Sequence, residues 1–141
     1  MTIISQGNNQ YSCYLDCLES FFSDSGLKVT RQTIIDDFPS ETHKGQANEG
    51  LFEFTELNNE KLQTKYDFVI VPRHGNFHEL RVGDFIRALS MKNQNRDHIV
   101  RFVRYLDEGQ IEVMDPKLGR FDRWTQNEFV AFKCILYNVS R

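Results

Sequence analysis

The sequence predicts an α+β domain: helices in the first half, packed on a twisted antiparallel sheet built from the second. Two changes along the chain carry that expectation. Up to about residue 61 the apolar residues recur at helical spacing, and beyond residue 67 they come in short β-branched and aromatic runs. A turn triplet, Asp107-Glu108-Gly109, joins two of those runs as a hairpin. With 141 residues, the chain fits a single domain spanning 1–141.

Residues 13–25 read as a helix, because Cys17, Leu18, Phe21 and Phe22 share one face and Gly26 follows as a stop. A second, short helix is expected from Thr30, its cap, to Phe38, with Ile34, Ile35 and Phe38 inward and Pro39 ending it. Residues 40–48 are polar and read as a loop. Asn48 is placed to cap a third helix running to about Lys61, with Leu51, Phe54 and Leu57 inward. Asp67 to Pro72 reads as a buried strand, and each of Pro39, Pro72 and Pro116 as a segment boundary. Residues 72–82 fit neither period. Phe85 to Leu89 fits a strand or a helical turn, with strand favoured, Ile99 to Tyr105 and Ile111 to Met114 read as the hairpin, and Asp115 to Gly119 as a further turn. Phe121 and Trp124 flank a short segment, with Trp124 expected against the sheet. Phe129 to Phe132 reads as a helical turn and Ile135 to Val139 as a last strand.

Composition excludes several classes. Hydrophobic residues make up 40% and the net charge is −3, which fits neither a disordered chain nor a strongly basic nucleic-acid binder. No apolar run approaches the ~20 residues of a membrane-crossing helix, and the first residues do not read as a secretory signal. Three cysteines, Cys13, Cys17 and Cys134, are an odd count and favour a reducing compartment, the cytosol of the producing cell or of a target cell. Their spacing matches no standard zinc pattern, so no metal or other cofactor is expected. Cys17 and Cys134 read as core, and Arg101 and Arg104 as part of a solvated face.

The chemistry lies in an order of residues: Gln6, then Cys13 at a helix start, His98 at a strand start, and Asp115 after the next strand. A thiol at a helix N-terminus feels the positive end of the helix dipole. A histidine within reach can take its proton and later give one to a leaving group. A carboxylate on the other imidazole nitrogen fixes tautomer and orientation. An upstream side-chain amide can join a backbone N–H in holding an oxyanion, a role open to Gln6 or Gln10 with Gln6 favoured. Antiparallel pairing through the 107–109 turn would bring His98 and Asp115 side by side. His43, His74 and His78 are competing bases, His74 the strongest of them.

The chain resembles the papain-like cysteine peptidases of the bacteriocin-processing type, which cleave double-glycine leader peptides. Gln6 followed by Cys13-Tyr14-Leu15-Asp16-Cys17-Leu18 is similar to that family's Gln and Cys-Gly-x-Ala-Cys-Leu; His98-Ile99-Val100 and Asp115-Pro116 resemble its His and Asp-Pro segments. Ser12, Tyr14 and Asp16 depart from the family pattern. The resemblance, which runs from residue 6 to about 137, implies a papain-like fold. It also implies a Cys13–His98–Asp115 triad with Gln6 at the oxyanion, acting on a peptide bond of a protein or peptide substrate. Stand-alone enzymes of this kind include secreted effector and toxin proteases and glutamine deamidases. A catalytically silent binding module is a third reading.

Overall fold

The computed structural model describes residues 1–5, 13–37, 56–73, 76–91 and 98–140. Four helices are described: α1 (Cys13–Asp24), α2 (Arg31–Asp37), α3 (Glu56–Tyr66) and α4 (Gln126–Ala131). The strands are β1 (Val69–Arg73), β2 (Phe85–Ala88), β3 (His98–Leu106), β4 (Gln110–Asp115), β5 (Arg120–Thr125) and β6 (Ile135–Ser140). They form one antiparallel sheet in the order β1-β6-β2-β3-β4-β5, so the α+β plan holds.

α1 follows its sequence signature. Leu15, Cys17, Leu18, Phe21 and Phe22 are buried, and Gly26, at φ 76°, ends the run. Thr30 caps α2, its Oγ1 accepting from the Thr33 N–H at 3.1 Å. The expected Phe38 contact, Pro39 and the 40–48 loop lie outside the described residues, as do Asn48, Leu51 and Phe54 and the side chains of Ile35 and Leu57. α3 runs beyond the expected end at Lys61 to Tyr66. Leu62 is buried in the core there, while Lys65 and Tyr66 both bond Asp37 of α2. Asp67, at φ 61°, then closes the helix in a left-handed turn, with Phe68 N–H returning to Leu62 O and Asp67 N–H to Gln63 O.

Pro72 is not a boundary but lies inside β1, opposite Tyr137. An edge strand tolerates it, because its missing N–H costs no ladder bond on the open side. β2, in contrast, is short and apolar because both its faces are covered: Phe85, Ile86 and Ala88 are all fully buried. On one face Phe85, Ile99, Met114, Ile70 and Tyr137 pack with α1, α2 and α3. On the other, Ile86, Val100, Phe102, Val113 and Leu136 pack with Phe77, Leu80, Trp124 and Phe129. Phe77 to Glu79, in the ambiguous stretch, form a short 3-10 turn whose Asn76 side chain accepts from His78 N–H. α4 begins earlier than the expected turn at Phe129, because Thr125 and Glu128 form a reciprocal capping box. Trp124 is buried edge-on to Phe132, and Cys134 is half-buried against the same cluster rather than fully in the core. No described helix is long and apolar enough to cross a membrane.

Candidate active site

The hairpin and α1 together bring three of the four candidate residues to one place. Cys13 is the first residue of α1, where backbone N–H groups have no intrahelical partner and the dipole is positive. His98 opens β3 and Asp115 ends β4. β3 and β4 pair with Arg101 opposite Met114 and Phe102 opposite Val113. Continued by one step, that register sets Val100 across from Asp115, so His98 is the diagonal neighbour on the same face. The side chains meet: His98 Nε2 lies 2.6 Å from Asp115 Oδ1. The Cys13 thiol neighbours the same ring closely enough to help raise it.

All three residues are sheltered, with Cys13 8%, His98 3% and Asp115 3% exposed. Burial by itself would push His98 down. The Asp115 carboxylate and the neighbouring Cys13 outweigh it and raise the imidazole to about 9. His98 therefore holds a proton through the neutral range. Asp115 is fixed in turn: its Oδ1 accepts from Lys117 N–H at 2.9 Å, and its carbonyl accepts from Gly119 N–H at 2.9 Å. Gly119 stands at φ 65°, and a Cβ on it would come within 2.9 Å of Ser5 Oγ. The N-terminal segment thus runs from Thr2, bonded to Asp24 at the far end of α1, to Ser5 beside the turn that follows Asp115.

Gln6, the next residue, lies outside the described residues, as do Gln10, His43, His74 and the Tyr14 side chain. His78 is exposed on its 3-10 turn. Cys17 is fully buried, its thiol donating to Ile99 O at 3.5 Å, and burial above all pushes that thiol well up. Burial likewise raises the Cys134 thiol to about 12. All three cysteines are free, and the described residues hold no cluster of metal-ligating side chains.

Arg101 corrects the reading of a solvated face. It is 2% exposed and points at α1, where Nη1 donates to Ser20 Oγ at 2.9 Å and to Asp24 Oδ2 at 2.6 Å. Its guanidinium also lies over the rings of Phe21 and Phe85. The strand that carries His98 is thereby pinned to the helix that carries Cys13. The sequence offered only its setting, a cation between Val100 and Phe102, and the burial came from α1 packing over the strand. Arg104, in contrast, is solvated and pairs with Glu112 at 3.1 Å. Asp16, marked in the sequence only as a departure from the family pattern, is fully buried against Arg31. No family model matches the chain, and no curated protein matches it.

Proposed function

We propose that the protein is a papain-like cysteine hydrolase that cleaves a peptide bond in a protein substrate, with Cys13 as nucleophile, His98 as acid and base, and Asp115 as the group orienting His98. One observation carries this reading: His98 is bonded to the Asp115 carboxylate at 2.6 Å and has the helix-N-terminal thiol of Cys13 as a neighbour that helps raise it. In the first half-reaction Cys13 Sγ attacks the carbonyl carbon, and the C–N bond breaks as His98 gives its proton to the leaving amine. In the second, water loses a proton to His98 and attacks the thioester. The C–S bond breaks, and the thiolate returns beside imidazolium. Backbone N–H groups at the start of α1 are available to the oxyanion, and Gln6 is the proposed side-chain donor.

The first test is alkylation of Cys13 by iodoacetamide as a function of pH, read by mass and peptide mapping. The wild type is expected to react well below the pH at which an ordinary thiol, pKa ~8.5, becomes reactive. His98→Ala is expected to lose that reactivity by about a hundredfold near neutral pH. A Cys13 no faster than a free thiol overturns the reading and leaves a binding module. Incubating wild type and Cys13→Ala with a protein mixture then separates the two enzymatic products. New N-termini made by wild type alone mark a peptidase, and glutamine converted to glutamate with no chain cut marks a deamidase.

A further inference from the structure

Asp16 is a fully buried carboxylate three residues after the candidate nucleophile, on an adjacent side of the first turns of α1. A bare negative charge there opposes formation of a thiolate, and it contributes to raising the Cys17 thiol. The charge is met from the next helix. Arg31, the first residue of α2, sets one nitrogen, Nη1, 2.7 Å from Asp16 Oδ1 and 2.6 Å from Glu19 Oε2. We propose that Arg31 is a positioning residue for the reaction, closing off the Asp16 carboxylate so that Cys13 can carry negative charge. This rests on the reading of Cys13 as the nucleophile.

Among the described residues, the other charged and titratable groups near Cys13 have different partners or are held neutral. From β3 and β4, His98 and Asp115 compensate each other at 2.6 Å. Arg101 of β3 is committed further along α1, to Ser20 and Asp24. Cys17 is held neutral by burial. Glu19, itself part-exposed, shares Arg31 with Asp16. A tie that served only to hold α1 against α2 would leave the ionisation of Cys13 unmoved, so the two roles predict different responses.

The experiment is the pH profile of Cys13 alkylation by iodoacetamide in wild type, Arg31→Gln, Asp16→Asn and the double variant, with circular dichroism to establish folding. Arg31→Gln is expected to move the midpoint up by about one pH unit. Asp16→Asn is expected to move it down, since the buried negative charge one helical turn from the thiol is gone and Arg31 is opposed only by Glu19, and the double variant to return near wild type. A folded Arg31→Gln with an unchanged midpoint overturns the proposal, and so does a double variant shifted as far up as Arg31→Gln. If Arg31→Gln does not fold, Asp16→Asn decides: a lowered midpoint supports the proposal and an unchanged one refutes it. A wild-type midpoint near 8.5, that of an ordinary thiol, would instead overturn the assignment of Cys13.

Discussion

Asp115→Asn isolates the charge that holds the proton on His98. Asparagine keeps an oxygen for the Lys117 N–H and leaves the backbone bond from Gly119 intact, so the turn survives. What is lost is the carboxylate 2.6 Å from Nε2. In the wild type that carboxylate and Cys13 lift His98 from 6.5 to about 9 against the opposing pull of burial. At about 1.36 kcal/mol per pH unit, this is a stabilisation of about 3 kcal/mol. The sign follows from the raised value: the contribution is fully present below pH 6.5 and is lost as pH rises through about 9. Urea unfolding of both proteins from pH 5 to pH 10 measures it, and taking the difference between them cancels every group the substitution leaves alone. The gap in stability should be widest, about 2–3 kcal/mol, at pH 5–6 and should close towards pH 10. A gap that is constant across the range, or that widens with pH, refutes the assignment of an imidazolium held by Asp115.

Other consequences are as direct. Turnover should fall on the alkaline side with an apparent midpoint near the about 9 of His98, because the leaving amine then finds no proton; activity undiminished to pH 10.5 or above would exclude His98 as the acid. Arg101→Met should cost about 2–3 kcal/mol in urea unfolding, since Ser20 and the part-exposed Asp24 lose their buried partner. Gly119→Ala should cost more than Gly109→Ala. Both sit at positive φ, which costs about 1 kcal/mol, but a Cβ at Gly119 meets Ser5 whereas one at Gly109 meets nothing. Equal losses by thermal melting would mean that the Ser5 contact bears no strain.

Local pattern was enough to place much of this molecule. The apolar face of α1, the Thr30 cap and the Asp107-Glu108-Gly109 hairpin all follow from the residues within one or two turns of each position, and each formed where periodicity and turn chemistry put it; at Phe85 the pattern fitted strand or helical turn, and the strand formed. The order Cys13, His98, Asp115 was legible for the same reason: a helix start and the two open ends of a hairpin are local features. Where α3 ends was not legible, because Leu62, Lys65 and Tyr66 extend it through contacts with the core and with Asp37. Pro72 was misread because whether a strand lies at a sheet edge depends on which distant strands pair with it. By itself, then, the sequence determined most of the elements, though not all their ends, and the residue types offered to a site. The tertiary structure alone decided which charges are buried and against what. Arg101 meets Asp24 across 77 residues, and Asp16 meets Arg31 from another helix. The cost of burying a charge, and the partner that offsets it, come from whichever element packs over it, which no local stretch of chain encodes.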